Sequence, residues 1–485
     1  MGENARPETV VVVGGGVGGL AAALALGRAG VPVTLLEADP LHIAADAEAA
    51  FVAERHGAPQ VHQTHGFLAR IVVELRERFP DVLDALLAAG CTTMPTIPDF
   101  DDQEPGDADL AALIVRRTTF EWVLRQAVVA EPLIDARTGV RVTGVTGAVQ
   151  PSSDGLVVVD GVVLDDGSHL PADVVIASTG RRGPIPDWLG ARGVDVPETI
   201  VESGLMYLSR WYRLPEGALT AIDAKLLGDL GFVKYIAVPG DGSTLSVTLA
   251  IRADDHDLRV ALSDPDQFEH ACRALPGPDQ FFAGDALEPV GAVRPMAGLL
   301  NRIRRFTDAD GAPTVLGFHA IGDAHTCTNP LYGRGCSLAV VQALLVTDAL
   351  VAQPDDPAER SRVYEAASRR EVEPWYDVAV QMDELGADPN SPGIAGPGGK
   401  ALAAVFVAAA TDPVIARGMA RFWNLLATPN DLMQDGELLT RMAAVMADPD
   451  AYPVPPRTGP SRTELLDGLR RRSGAGGTRA RSVTW

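Results

Sequence analysis

The apolar positions of this chain change their spacing in step with its glycines and prolines, and the alternation outlines an α/β protein. Residues 9–13 are a β-branched run, the pattern of a strand buried on both faces. Gly18 to Ala29 is rich in Ala and Leu, a strong helix-forming composition, and Gly30 is placed to end it. Residues 31–37 read as a second strand. The right-handed crossover rule makes the two strands parallel neighbours in a βαβ unit.

From His65 to about Gly90, Phe67, Leu68, Ile71, Val72, Leu75 and Phe79 recur at three- and four-residue spacing and predict helix. Residues 99–109 are acidic and predict an exposed loop. Phe120–Ala130 reads as helix. Residues 133–180 hold short strands with turns expected at Asp154-Gly155, Asp160-Gly161 and Asp166-Gly167, and close on a buried strand that runs into Ser178-Thr179-Gly180. Runs at 205–214, 233–238 and 244–251 predict an antiparallel sheet, with a turn at 239–242. Val315–Ile321 returns to a buried strand, followed by a helix over 337–350. The chain then reads as helical to about Met446, with a break at 388–399. The last thirty or so residues are Pro-, Gly-, Ser- and Arg-rich and predict a disordered tail. The boundaries expected are 1–190, 191–300, 301–352, 353–455 and a tail at 456–485.

At 485 residues with 46% apolar content, the chain has room for more than one domain and a large core. Its net charge of −23 argues against a nucleic-acid partner, because phosphates are repelled. Cys91, Cys272, Cys327 and Cys336 match neither a zinc spacing nor a CxxC pair, so no metal is expected and the thiols read as buried and reduced. No secretory leader pattern and no unbroken membrane-length apolar run is seen, so the expectation is a soluble cytoplasmic protein. The apolar stretch Ala401–Ala410 reads as a packed helix in preference to a membrane contact.

Two motifs carry chemistry. Gly14-x-Gly16-x-x-Gly19 lies between a strand and a helix, and Glu37 follows 18 residues after its last glycine. Gly14 permits the tight turn, Gly16 lets backbone approach a pyrophosphate, and Gly19 lets helix and strand pack closely. The N–H groups around Val17 and Gly18 open a helix whose dipole favours a phosphate, and Glu37 can accept from a ribose hydroxyl. The second motif is Gly322-Asp323, then Asn329-Pro330-Leu331-Tyr332-Gly333-Arg334-Gly335 before a helix. An Asp at a strand end suits polyol hydroxyls, and a glycine-opened helix suits an anionic ring edge. A flavin dinucleotide needs both ends.

With these residues, the chain resembles the single-component FAD-dependent hydroxylase and epoxidase superfamily with the para-hydroxybenzoate hydroxylase fold, and the polyether-type and squalene-type flavin epoxidases most of all. Arg117-x-x-Phe120-Glu121-x-x-Leu124-Arg125 matches the family's helix motif and implies that Arg117, with Arg116 less so, lies near FAD. Ala177-Ser178-Thr179-Gly180-Arg181 matches another FAD-side turn. The implied fold is a glutathione-reductase-type FAD-binding Rossmann domain with an inserted antiparallel substrate domain and a C-terminal helical region.

The implied activity is monooxygenation of a hydrophobic or aromatic small molecule through a flavin C4a-(hydro)peroxide. Aromatic hydroxylases commonly carry Asp-Gly where this chain has Thr179-Gly180. That weakens direct NAD(P)H use and leaves a separate flavin reductase as another electron donor. The W-x-W-x-I-P motif of the flavin-dependent halogenases, which share this fold, is not found, so a halogenase is kept only as a minor alternative. A geranylgeranyl-reductase-type dehydrogenase is the main alternative, and a non-catalytic flavin protein a lesser one. No acid–base pair stands out: His65 and His325 are weak candidates. Trp211, Tyr212 and Tyr235 suit either a substrate pocket or a strand core.

Overall fold

Val10–Val13 form strand β1 with every side chain buried, as a β-branched run does when both faces of its sheet are covered. The computed structural model describes residues 9–473 apart from 41, 151–152, 154, 216–225, 283, 285–286, 388–395 and 457. Helix α1 (Val17–Arg28) joins β1 to strand β2 (Val33–Glu37), and the strands pair in parallel from Val10–Val33 to Val13–Leu36.

The sheet order is Phe318–Ala320, Val174–Ala177, β1, β2, Ile134–Thr138. Every pairing in it is parallel, so the C-terminal ends of all five strands open on one edge. Alternate valines serve two layers. Val10 and Val12 pack with Leu24 of α1 and with Val340 and Leu344 of the helix Gly335–Ala352. Val11 and Val13 pack with Val145, Val159 and Val162 of an antiparallel sheet formed by residues 142–149, 157–164 and 169–171. By length and composition the Gly335–Ala352 helix could cross a membrane, but 72% of it is buried within the protein, as in a core helix laid against α1.

The chain divides into two compact units. The first comprises residues 1–203, 300–385 and 390–453, and contains this sheet and the C-terminal helices. In the apolar helix Pro397–Ala408, Ala404, Val405 and Ala408 are buried among Ile415, Leu438 and Val445. The second unit comprises 204–299, 386–389 and 454–485. Its antiparallel sheet runs 227–229, 233–240, 244–252, 205–213, 288–296. Leu208, Tyr212, Tyr235, Val247 and Leu249 form one apolar side with Phe268 and Leu275. Tyr212 meets Phe282 edge to face at 5.0 Å. These two tyrosines are therefore core residues. Trp211 alternates to the other face, opposite Ser246.

Several expectations are corrected. The tail is not disordered throughout. Arg462–Ser473 is a helix whose Leu465, Leu466 and Leu469 are buried in the core of the second unit, and Arg462 grips Asp255 with bonds of 2.7 and 2.8 Å. Composition hid a short apolar stripe among polar residues. Asp160-Gly161 is no turn: it lies inside strand Val157–Leu164, where the register shifts and Gly161 takes φ +158°. Asp154 and most of the 388–399 break lie outside the described residues.

The expected strand 315–321 is two pieces. Gly317, at φ +70°, breaks it, so Val315–Leu316 pairs with one sheet and Phe318–Ala320 with the other. The helical stretch after His65 is likewise two helices, Ala69–Arg78 and Pro80–Ala88, split at Pro80. His65 itself lies in the preceding loop.

The terminal helix gives a test. Leu469→Ala is expected to cost about 2–5 kcal/mol, as other buried Leu truncations do, and to lower the melting transition of the purified protein. An unchanged transition would restore the disordered tail.

Candidate cofactor site

Steric constraints set the first end of the site. Gly14 has φ +107°, and a Cβ there would lie 2.3 Å from the Ser178 carbonyl oxygen; one on Gly19 would lie 1.8 Å from the Gly14 carbonyl oxygen. Only hydrogen fits at either position. Next to Gly16 a Cβ would meet nothing within 4 Å, so the ground above the turn is open. No side chain caps α1, which starts at Val17, and Gly18 sits against Ser178 and Ala339. The first-turn N–H groups are left for an anion.

Glu37, at the end of β2, is buried and holds the turn from beneath. Its carboxylate accepts from the Gly15 N–H at 2.8 Å and from the Asp39 N–H at 2.8 Å. Arg55 donates to it at 3.2 Å and also to Asp39 and Glu121. A cavity of about 250 Å³ lies beside it, lined by Gly15, Leu20, Glu37, Ile43, Arg125 and Val129 among others.

Glu121 lies on the helix Arg117–Ala130. It takes 2.6 Å and 2.8 Å bonds from Arg55 and Arg117, and Arg125 approaches to 3.9 Å. Burial alone would raise its pKa, but Arg117, Arg55 and Arg125 pull it down to about 2. Arg117 also donates to His65 Nε2 at 3.0 Å, while His65 Nδ1 bonds the Gln63 carbonyl at 2.9 Å. Burial and the Arg117 charge bring His65 down to about 3. The ring is thus neutral at physiological pH, with both nitrogens engaged, and it orients Arg117. This does not suit a general acid–base role.

Arg117 connects the two ends, because its charge is felt at Asp323 and Cys336. Gly322 takes φ +60° and donates to Gln342 Oε1 at 2.7 Å. Asp323 follows; burial raises its pKa against the pull of Arg117, Arg181 and Arg302. A Cβ on Gly335 would lie 3.9 Å from its carboxylate. Pro330 opens the short turn to Tyr332, Gly333 ends it at φ +67°, and Gly333 touches Gly66. The Gly335–Ala352 helix, like α1, has no side-chain cap. Thr179-Gly180 lies at the end of strand Val174–Ala177, beside the Gly14 turn.

The structure therefore brings Gly14, Gly16, Gly19, Glu37, Arg117, Thr179, Gly180, Gly322, Asp323 and the Gly333–Gly335 backbone to one sheet edge. It takes two others away. His325 is wholly buried, bonded to Thr326 at 2.7 Å and facing Glu365 and Phe306, a core role. The Arg334 side chain turns instead among aromatic rings of the C-terminal helices. Arg116 pairs with Glu48 and lies over Phe51. All four cysteines are free and buried, and burial pushes the Cys336 thiol up to about 11.

Arg55, Asp39 and Gln342 were missed by sequence reasoning. Gln342 left a signal, a lone amide in an apolar helix; Arg55 left none. The residues fit FAD. Beyond the open ground above Gly16, buried polar atoms without a hydrogen-bond partner remain at Thr179 Oγ1, Thr118 Oγ1 and Ser337 Oγ, as expected around a polar cofactor.

Residues 9–60 match the family model described as an FAD binding domain. No curated protein matches the chain. The fold is similar to p-nitrophenol 4-monooxygenase PnpA from Pseudomonas putida DLL-E4, with TM-score 0.60, 17% identity, and coverage of 87% of this chain and 99% of that one. It is similar to PqsL, a probable FAD-dependent monooxygenase from Pseudomonas aeruginosa, with TM-score 0.57, 16% identity and coverage of 79% and 96%. The flavin-dependent brominase Bmp2 gives TM-score 0.58, 15% identity and coverage of 92% and 100%. At such identities the likeness is one of fold: an FAD-binding Rossmann domain with an antiparallel-sheet insertion and C-terminal helices.

Glu121→Gln leaves Arg55 and Arg117 without their shared buried anion. The expected loss is roughly 3–5 kcal/mol of stability, read by denaturant unfolding, with weaker FAD uptake. A separate expectation concerns acid. A histidine held below its unfolded value near 6.5 contributes stability above that pH and loses it as pH falls toward 3; His65 and His319, also brought to about 3 by burial, act alike. Stability should therefore drop between pH 7 and 5, and His65→Gln should flatten part of that drop; an equal drop in the variant would refute the assignment.

Proposed function

We propose that this chain is an FAD-dependent monooxygenase acting on a hydrophobic or aromatic small molecule. The observation that carries the reading is the convergence of the Gly14–Gly19 turn, Glu37 and the Asp323–Gly335 turn on one edge of a parallel sheet. These features match in kind a molecule with a diphosphate, a polyol and a flat ring. Bound FAD supplies the redox and oxygen-activating chemistry. The chain's own residues do the rest.

The uncapped start of α1 would hold the diphosphate, and the Glu37 carboxylate would accept from a ribose hydroxyl. Asp323 would hold the polyol. The uncapped start of the Gly335–Ala352 helix would offer N–H groups to the electron-rich edge of the ring. Arg117, fixed by Glu121 and His65, adds fixed positive charge beside Asp323. With His65 neutral and both its nitrogens engaged, no imidazole proton transfer enters the reading. One oxygen atom of O2 goes to substrate and the other to water, with two electrons drawn from NAD(P)H or a separate reductase. Epoxidation of an alkene, as in the epoxidases the sequence resembles, needs no side-chain base and fits this site.

The purified protein is expected to be yellow and to release FAD on denaturation. Once reduced anaerobically, it should reoxidise on admission of air and carry isotopic oxygen from O2 into a product from a panel of aromatic and polyene substrates. A colourless protein that ignores added FAD would end the flavin reading. A reduced holoprotein inert to O2 that passes electrons to a dye would instead leave a dehydrogenase.

A further inference from the structure

Asp383 is a buried carboxylate with no part in the chemistry proposed above. It stands near the end of the helix Glu373–Ala387. One oxygen accepts from Asn301 Nδ2 at 2.7 Å; the other accepts from Asn329 Nδ2 at 2.7 Å and from the Tyr332 hydroxyl at 3.1 Å. These partners lie 82, 54 and 51 residues away in sequence, so the cluster is a tertiary tie and not local turn chemistry. Asn301 belongs to the strand Leu300–Arg304, and Asn329 and Tyr332 flank the short turn that ends at Gly333. The two amides have no choice of orientation. Asn301 Oδ1 accepts from the Asn329 N–H at 2.7 Å, and Asn329 Oδ1 accepts from the Leu331 N–H at 3.2 Å. Each amide oxygen thus faces a backbone donor, and each NH2 group faces the carboxylate. Both asparagines are wholly buried, so water cannot relieve a mismatch.

The turn held in this way leads straight into the cofactor edge. Gly333, at φ +67°, lies against Gly66, and a Cβ on Gly335 would lie 3.9 Å from the Asp323 carboxylate. The Gly335–Ala352 helix then begins with no side-chain cap. Where its first N–H groups point follows from the turn before them, and that turn is anchored at Asn329 and Tyr332. A buried charge is a poor source of net stability. It is well suited to fixing a direction, because hydrogen bonds to a carboxylate are short and strong. We infer that Asp383 is a positioning residue for the flavin ring: through Asn329 and Tyr332 it aims the uncapped helix start at the electron-rich edge, and so favours the reduced, negatively charged form of the ring.

This assignment rests on the FAD reading and adds that the ring's redox balance depends on a carboxylate in a C-terminal helix. The test is the midpoint potential of the bound flavin, read by anaerobic dye-coupled titration of the FAD-loaded protein, with the melting transition recorded beside it. Asp383→Asn should move the potential about 30 mV more negative, the equivalent of a ten-fold weaker preference for the two-electron-reduced form. Loss of the carboxylate's charge alone acts the other way, since removing a negative neighbour favours an anionic ring. The sign of the shift therefore separates aim from through-space charge. Tyr332→Phe keeps the charge and removes one bond, and it should shift the potential in the same negative direction by a smaller amount.

A potential that rises or stays in place in Asp383→Asn would overturn the proposal; with a lowered melting transition, that result makes Asp383 a structural staple only. Should Asp383→Asn fail to fold, Tyr332→Phe decides by the same criterion. Wild-type protein that takes up no FAD ends the flavin reading and this assignment together, whereas a normal wild-type holoprotein whose variants keep its potential ends this assignment alone.

Discussion

One buried carboxylate holds this site together. Glu121 sits among Arg55, Arg117 and Arg125 with almost no access to water. Its charge lets three guanidinium groups crowd into one interior region. Through Arg55 it reaches Glu37 beneath the first glycine turn, and through Arg117 it reaches His65 and the neighbourhood of Asp323. Buried ion pairs are poor sources of net stability. What this one provides is position, since Arg55 and Arg117 are each hydrogen-bonded to an acceptor that cannot move far.

The glycines act by exclusion in the same place. Gly14 and Gly19 are so close to backbone that any side chain would displace a strand or a helix. Gly66 and Gly333 meet across two segments far apart in sequence. The charge network and the close contacts fix complementary things, the first the polar groups and the second the path of the main chain around them.

Much of the fold was legible because local pattern and tertiary structure agree. The valine run, the Ala- and Leu-rich helix and the glycine motif predict the βαβ unit that forms. Legibility failed where a long-range partner decides. Arg55 lies in a stretch without strong periodicity, and its importance comes from Glu37, Asp39 and Glu121, which no spacing rule connects to it. His325 follows Asp323 by two residues, yet it faces Glu365. The terminal helix was hidden because three leucines are too few to outweigh their polar setting until the sheet they cover is present. Arg334 belonged to a motif read as cofactor contact, and only the aromatic residues of distant helices show where its side chain goes.

The Gly335–Ala352 helix has consequences for how the molecule is made. It is apolar around nearly its whole circumference, and its packing partner α1 lies near the opposite end of the chain. During synthesis the first βαβ unit leaves the ribosome long before the segment that will cover it. A nascent chain must therefore carry an exposed greasy surface while residues 204–299, the larger part of the second unit, are translated. Long delays between partners slow folding and invite aggregation, so this topology favours slow synthesis, low temperature or chaperone help when the protein is produced.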